Sequence, residues 1–281
     1  MNVMLMRLPL PQVTLCAVDT RAPALAAQAL RHSMTQTDFA RVILFTNDWL
    51  PRRVLSGIEL IDIGNIESGA EYSEFILRRL PAFIRSSHVL IAQWDGFVVD
   101  PTAWTDEFLV HDYVGAVWPD QPTGRNVGNG GFSLRSRRMM AAGMDIRITQ
   151  LHPEDEALCR THRAMLERDH GVSFAPESLA RRFSFENESP RAPAFGFHGA
   201  YHLPRVFPAA TLDLWLDALP DDFFRGRDAR RLARAMLARG MTGAARKVLR
   251  RREAAGLSDA KTRVLGAAAA VMGLFQSGTR A

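Results

Sequence analysis

The sequence predicts an α/β fold with a mainly parallel sheet and a helical appendage at the C-terminus. Three observations predict it. Short apolar runs alternate with amphipathic segments through the first 100 residues, the run at 89–92 is apolar throughout, and residues 223–281 are rich in alanine and arginine. A continuous apolar run is typical of a strand buried on both faces, and alternating strands and helices are typical of a parallel sheet.

The predicted strands and helices alternate regularly in the first half of the chain. Four segments rich in β-forming residues are predicted as strands: 12–18, 41–45, 58–63 and 88–94. Pro23 opens a helix that runs to about residue 36, because proline suits the first turn of a helix. Residues 71–84 repeat apolar side chains at helical spacing. No glycine-rich G-x-G-x-x-G segment follows the first strand, which argues against an ordinary dinucleotide-binding domain.

Shorter elements follow in the middle of the chain, and helices dominate its end. After the fourth strand we predict a helix at 104–110, a strand at 113–118, a strand from Phe132, and helices at 137–142 and 153–169. Three tail helices at 228–239, 242–255 and 258–274 are separated by short turns that contain glycine, as in helical hairpins of the tetratricopeptide type. We therefore predict a first domain at 1–222 and a helical appendage at 223–281.

Composition is that of an ordinary globular protein. The chain has 281 residues, 47% hydrophobic and 23% charged, and no apolar run long enough for a membrane-spanning helix. Two cysteines and no recognisable signal peptide lead us to expect a cytoplasmic protein that could lie at the inner face of the membrane.

Charge is distributed unevenly along the chain. Residues 223–281 carry 14 Lys and Arg against three Asp and Glu. These basic helices either pack on the first domain with their arginines in solvent, or contact an anionic membrane surface. Because the arginines are not interleaved with stacking aromatic side chains, we do not expect nucleic-acid binding.

The end of the fourth strand is the most informative part of the sequence. The apolar run ends abruptly in Gln93, Trp94, Asp95 and Gly96. Open α/β sheets bind their ligands just beyond the carboxyl ends of the strands. One carboxylate, one amide and a glycine at that place can hold a divalent metal or a sugar hydroxyl against a substrate that carries phosphate.

Three further segments carry candidate site residues. The glycines of segment 128–131 let the backbone approach a ligand closely, although a tight structural turn uses the same residues. Glu154 and Asp155 open a helix, where acidic residues also act as ordinary caps. His198 is either a hydrogen-bonded, partly buried histidine or a ligand for a metal or a pyrophosphate.

These segments, taken in order, resemble the DUF5672 family of bacterial glycosyltransferase-like proteins. The resemblance covers about residues 10–205. It lies in Gln-Trp-Asp-Gly-Phe at 93–97, Phe-Leu-x-x-Asp-Tyr-Val-Gly-Ala at 108–116, Trp118, Val-Gly-Asn-Gly-Gly-Phe-Ser-Leu-Arg-Ser at 127–136, Glu154-Asp155 and Phe-Gly-Phe-His-Gly at 195–199. The resemblance implies a GT-A glycosyltransferase, a single Rossmann-like domain that binds a nucleotide sugar and transfers the sugar.

The resemblance also implies how the donor binds. Segment 93–95 takes the place of an Asp-x-Asp-like motif, whose carboxylate contacts a divalent cation on the donor diphosphate. Gln93 replaces the first carboxylate, so a Mg²⁺ or Mn²⁺ site would rest on Asp95, with His198 as an additional ligand. Without a metal, Arg125, Arg135 and His198 would neutralise the diphosphate. The implied donor-binding residues are Asp19, Thr20, Thr46, Asn47, Tyr72, Gln93, Trp94, Asp95 and Gly96.

On the acceptor side, the resemblance implies a general base. Glu154 and Asp155 match the carboxylate that removes a proton from the acceptor in inverting enzymes. We favour Asp155, with Glu154 contacting the acceptor or capping the helix. The implied sugar- and acceptor-binding residues are Trp118, Asn129, Gly130, Gly131 and Arg135. The implied function is transfer of a sugar to a glycan or lipid-linked acceptor in polysaccharide biosynthesis. The alternative is a catalytically silent nucleotide- or sugar-binding protein that keeps the fold.

Overall fold

The computed structural model describes residues 7–278, with side chains described as far as Gly273. The chain divides into two compact units, Met1–His198 and Gly199–Ala281. The sequence places this boundary later, after residue 222. The difference arises because the short helices between residues 203 and 225 pack against the helices of the basic tail and belong to its unit.

The first unit is built on a six-stranded sheet, which confirms the predicted α/β class. Its strands are β1 (Leu8–Val18), β2 (Thr37–Thr46), β3 (Glu59–Asp62), β4 (His88–Ala92), β5 (Tyr113–Val114) and β6 (Phe132–Ser136). Their order across the sheet is β3-β2-β1-β4-β6-β5. The first four are parallel, whereas β6 runs antiparallel to β4 and β5. The sequence predicts the four parallel strands in order but not the reversal at β6.

The strand order changes direction between β1 and β4. The chain passes from β1 outward to β2 and β3, and then returns to place β4 on the other side of β1. Cys16 of β1 pairs with Ile91 of β4, so the residues that follow the two strands leave the sheet side by side. Open α/β sheets bind ligands at such a point, because the two connections diverge there and leave a crevice.

Helices cover both faces of this sheet. The helices of the first unit are α1 (Pro23–Met34), α2 (Gly69–Glu74), α3 (Arg137–Ala142), α4 (Glu154–Glu156), α5 (Arg163–His170) and α6 (Glu177–Phe183). Alternate residues of β4 point to opposite faces: Leu90 joins the core that includes α1, and Ile91 joins the core formed with Phe75 and Ile76. Strands buried on both faces explain the uniformly apolar run in the sequence.

A small two-stranded parallel sheet lies near the end of the first unit. It pairs β7 (Ser184–Phe185) with β8 (Gly196–Phe197). Glu186 follows β7 directly and His198 follows β8 directly, so the pairing brings these two side chains together. Because the strands are only two residues long, the sequence predicts no more than extended segments here.

The second unit is helical. Its helices are α7 (Leu203–Val206), α8 (Ala209–Ala218), α9 (Asp221–Arg225), α10 (Arg227–Ala238), α11 (Thr242–Ala254) and α12 (Ala260–Gly278). The last three match the tail helices predicted from the sequence, with ends that differ by at most four residues. Between residues 7 and 278, no helix combines the length and the hydropathy needed to cross a bilayer.

Candidate active site

A cluster of polar side chains lies just beyond the carboxyl end of β4. His198 Nε2 lies 3.1 Å from Gln93 Oε1 and 3.4 Å from Asp95 Oδ1. On the opposite side of the ring, His198 Nδ1 lies 3.0 Å from Glu186 Oε1. The side chains of Asp95, Glu186 and His198 are 15–17% exposed. We call these four residues the strand-end cluster.

Neighbouring groups fix the orientation of this cluster. The Gln93 amide donates to the Tyr72 hydroxyl at 3.2 Å, which turns its carbonyl oxygen towards His198. Asn129 has a left-handed backbone, with φ of 67°, and its side-chain oxygen accepts the Phe132 N–H at 3.2 Å. The Asn129 amide nitrogen consequently faces His198 Nδ1 at 3.1 Å.

The two carboxylates determine the protonation of the histidine. Burial alone would lower the pKa of His198, but Asp95 and Glu186 outweigh burial and raise that pKa well above its usual value. Burial would likewise raise the pKa of Glu186, but the hydrogen bond to His198 reverses the direction and lowers it. The two carboxylates therefore favour the protonated form of His198.

Two glycines are required by the close approach of other groups to their backbone. A Cβ atom at Gly131 would lie 2.1 Å from His198 Nε2. A Cβ atom at Gly96 would lie 2.8 Å from the Phe197 carbonyl oxygen. These glycines therefore serve the packing of His198 and β8 against the end of β4.

A second charged group lies on the other side of segment 128–131, in the interior. Arg135 on β6 forms an ion pair with Glu154 at 2.8 Å, with side chains only 3% and 7% exposed. A Cβ atom at Gly130 would lie 2.1 Å from Glu154 Oε1. This geometry revises the expectation that Arg135 contacts the sugar and that Glu154 reaches the acceptor, because both charges are used in pairing each other. We call Arg135 and Glu154 the buried pair.

Asp155 takes a different position from its neighbour. Its side chain is half-buried, and its two oxygens accept the backbone N–H groups of Gly130 and Glu156, each at 2.9 Å. Each oxygen keeps a second lone pair. Of the two adjacent carboxylates, Asp155 is therefore the one that is not already paired with a cation.

Trp118 and Trp94 are both partly buried. The Trp118 ring packs directly on Gly128, where a Cβ atom would lie 2.3 Å away. Trp94 packs against the core that includes α1.

Asp19 meets the strand-end cluster from the end of β1. Its Oδ1 accepts the N–H groups of Arg21 and Ala22, at 2.9 and 2.6 Å. Burial raises the pKa of Asp19; these hydrogen bonds oppose that shift and the nearby charge of Asp95 adds to it. Asp19 and Asp95 therefore follow two neighbouring strands of the sheet, β1 and β4.

The other predicted residues at these strand ends bind one another. Thr20 exchanges hydrogen bonds with the backbone of Ile66 at 3.0 and 3.1 Å. Asn47 donates to the Thr20 carbonyl oxygen and to Asn65, and Thr46 is buried. They connect the strand-end loops.

The donor atoms of the strand-end cluster suit a divalent cation. Across the described part of the chain, no three His, Cys, Asp or Glu side chains converge as a metal site. Gln93 Oε1, Asp95 Oδ1 and His198 Nε2 nevertheless converge, with the separations of 3.1 and 3.4 Å given above. Glu186 on the far ring nitrogen is the kind of partner that orients a metal-binding histidine.

Sequence reasoning did not single out Glu186. The alternation of aromatic and small residues around it indicates an extended segment, but no spacing in the sequence relates position 186 to position 198. The relation arises only from the parallel pairing of β7 with β8.

Two solved structures resemble part of this chain. One is the apo form of the glycosyltransferase GlyE of Streptococcus pneumoniae TIGR4, with 14% identity over 66% of this chain and 54% of that chain and a TM-score of 0.40. The other is the galactosyltransferase LgtC in complex with donor and acceptor sugar analogues, with 14% identity over 66% and 86% of the two chains and a TM-score of 0.35. This chain thus spans about half the length of the GlyE structure.

Sequence comparison identifies the family. No curated protein matches the chain. The family described as "Protein of unknown function (DUF5672)" matches residues 56–198, a region that contains β3 to β6, the strand-end cluster and the buried pair. The predicted resemblance is confirmed: this chain belongs to the DUF5672 family.

Proposed function

We propose that this chain is a glycosyltransferase that moves a sugar from a nucleotide-sugar donor to a glycan or lipid-linked acceptor. One observation carries the proposal: the strand-end cluster lies at the point where the strand order reverses between β1 and β4, and Asp19 directly follows the neighbouring strand β1. That crevice is where an open α/β sheet binds a nucleotide. The carboxylates there suit hydroxyl groups and a metal, and the histidinium suits phosphate.

The donor would lie across the ends of β1, β2 and β4. Asp19 uses one carboxylate oxygen for the turn into α1, which leaves the other to accept a hydrogen bond from a ribose or sugar hydroxyl. The loops joined by Thr20 and Asn47 would enclose the base. If no metal is used, the diphosphate would face His198, whose positive charge suits a phosphate oxygen.

A divalent cation would be held by Asp95, Gln93 and His198. Their oxygen and imidazole ligands fit Mg²⁺ or Mn²⁺, and the ion would supply positive charge to the leaving diphosphate. Binding it requires His198 to give up its Nε2 proton, while Glu186 still accepts a hydrogen bond from Nδ1 and fixes the tautomer.

The transfer step assigns Asp155 as the general base. The acceptor hydroxyl oxygen forms a bond to the anomeric carbon, and the bond between that carbon and the diphosphate oxygen breaks. The hydroxyl proton passes to Asp155, and the electron pair leaves with the nucleoside diphosphate. Attack from the face opposite the leaving group inverts the configuration.

The alternative function is a catalytically silent nucleotide- or sugar-binding protein. One observation favours it: both Asp155 oxygens already accept backbone N–H groups, so this carboxylate is already used in holding the backbone. Such a protein would bind a donor without releasing nucleoside diphosphate.

The test is release of nucleoside diphosphate from UDP-, GDP- and CDP-sugars, with Mn²⁺ or with EDTA. We expect release from one donor in the native protein and its loss in Asp95→Ala. Asp213→Asn is the control, because Asp213 is half-exposed and its ion pair with Lys247 is long, at 3.9 Å. Tight donor binding without release would favour the silent protein, and equal release by Asp95→Ala would contradict the proposed site.

A further inference from the structure

A cavity adjoins the strand-end cluster. It has a volume of about 450 Å³ and is lined by residues of α6, β7 and segment 186–193, within the range of roughly 300–1,000 Å³ that is usual for small-molecule sites. Asp95 and His198 do not line it. Glu186 does, so this one side chain separates the cavity from the histidine.

The cationic lining of this cavity leaves one arginine without a partner. Arg181 is held by Glu177 and Glu188 at 2.8 and 2.7 Å. Arg182 donates to the carbonyl oxygens of Ala103 and Trp104. Arg191 also lines the cavity. Among the described residues it forms no ion pair or hydrogen bond, although its charge helps to lower the pKa of Glu177. Its guanidinium donors are therefore available for an anion.

A buried hydroxyl group in the same wall also lacks a partner. Ser184 is 1% exposed and lines the cavity, and its Oγ makes no hydrogen bond to any described residue. An unpaired buried hydroxyl is costly, by about 1–3 kcal/mol. A ligand hydroxyl at this place would complete its hydrogen bonding.

The remaining lining is apolar. Phe185, Pro190 and Pro193 contribute to the wall, and Phe185 is itself stacked on Phe197 with ring centroids 5.8 Å apart. Flat apolar surfaces of this kind suit the C–H face of a sugar ring. The two carboxylates of the lining have partners of their own: Glu186 lies 3.0 Å from His198 Nδ1, and Glu188 lies 2.7 Å from Arg181.

We propose that this cavity binds the acceptor, and that the acceptor is a sugar acid: a hydroxylated ring that carries a carboxylate. The ring lies on the apolar wall, a hydroxyl pairs with Ser184, and the carboxylate pairs with Arg191. This proposal rests on the proposed glycosyltransferase function, because only a transferase has an acceptor. Glu186 belongs both to this cavity and to the strand-end cluster, so the two substrates would lie side by side at this residue.

The test compares glucuronate with glucose, which differ in one carboxylate, by ligand-observed NMR titration of the whole protein. We expect glucuronate to bind about tenfold more tightly than glucose, the equivalent of about 1.4 kcal/mol. Arg191→Gln should remove that preference. Arg53→Gln, a change at an exposed arginine outside the cavity, should retain it.

A second variant distinguishes a loss of sugar binding from a loss of folding. Ser184→Ala removes an unpaired hydroxyl and should leave the thermal midpoint unchanged or higher, while it weakens the binding of both sugars. Equal binding of glucose and glucuronate, no binding of either, or a preference that survives in Arg191→Gln would overturn the proposal.

A parallel titration with nucleotide sugars separates the two proposals. If nucleotide sugars bind through Asp95 but glucuronate does not bind, the sugar-acid proposal fails alone. If glucuronate binds through Arg191 but no nucleotide sugar binds, the proposed function fails, and the assignment of this cavity to an acceptor fails with it.

Discussion

The two charged groups on either side of segment 128–131 differ in one respect that decides their roles. The buried pair, Arg135 and Glu154, is sealed inside the protein and each charge neutralises the other. The strand-end cluster is partly exposed and lies at the reversal of strand order. Gly130 packs against the first group and Gly131 against the second. Adjacent glycines thus separate a structural ion pair from a candidate binding site.

The comparison shows that the type of charged residue near a strand end is not enough to identify a ligand-binding site. Both groups contain a carboxylate and a cationic side chain. What distinguishes them is whether each charge already has a buried partner, since a fully paired buried charge has nothing left to offer a ligand. The predictions below test this distinction.

The largest effect is expected for Glu154→Ala. The substitution leaves the buried Arg135 guanidinium without its carboxylate, and we expect the free energy of unfolding to fall by about 3–5 kcal/mol. Glu156→Ala is the control, because Glu156 lies in the same turn but forms an exposed pair with Arg160, worth about 0–1 kcal/mol. Urea unfolding measures both. A loss below 1 kcal/mol for Glu154→Ala would contradict a structural role.

The adjacent glycines sharpen the comparison. A methyl group at position 130 meets Glu154, so Gly130→Ala should cost about 1–3 kcal/mol of stability through overpacking. A methyl group at position 131 meets His198, so Gly131→Ala should mainly weaken nucleotide-sugar binding. Thermal midpoints with and without donor separate the two effects. If Gly130→Ala lost the donor response and Gly131→Ala kept it, the two roles would be reversed.

A smaller effect is expected for Glu186→Gln. Glu186 orients His198 through Nδ1, and loss of such a partner commonly lowers metal affinity or activity about 10–100-fold. We expect the Mn²⁺ concentration needed for half-maximal donor turnover to rise by that factor. Glu59→Gln is the control, because Glu59 pairs with Arg41 away from the cluster. An unchanged Mn²⁺ requirement would show that Glu186 does not position the histidine.

The smallest effect is a pH dependence of stability in metal-free buffer. The pKa of His198 is raised in the folded protein, above about 6.5 in the unfolded chain. The contribution of this histidine to the free energy of unfolding is therefore complete below about pH 6.5. It is lost as the pH rises through the pKa of His198 in the folded protein. The stability difference between the native protein and His198→Gln should shrink over that rise. A difference that is constant or grows would contradict a histidinium held by two carboxylates.

Much of the fold could be predicted from local sequence patterns. The buried strands β1, β2 and β4 and the tail helices are recognisable because apolar periodicity reports burial directly. The reversal of β6 could not be predicted in this way, because pairing direction depends on residues distant in sequence. The boundary after His198 could not be predicted either, because it depends on contacts between segments distant in sequence. The short helices that follow it pack against the larger helices of the tail.

The candidate site could be predicted only in part. Asp95 and Asp19 follow recognisable strands, so their meeting was predictable from the rule on strand ends. Glu154 looked like a helix-start carboxylate, but its pairing with Arg135 depends on how β6 packs beside α4. No sequence pattern points to Glu186, because it meets His198 only through the pairing of two strands that are each two residues long. Contacts of this kind are set by tertiary packing rather than by local pattern.

The most direct test of the central claim is the thermal midpoint of the native protein and of Asp95→Ala with UDP-, GDP- and CDP-sugars, each with Mn²⁺. A ligand that binds only the folded state raises the midpoint. We predict that one donor class raises it for the native protein and not for Asp95→Ala, while the two proteins unfold at similar temperatures without ligand. No response to any donor, or an equal response in both proteins, would contradict a nucleotide-sugar site at the end of β4.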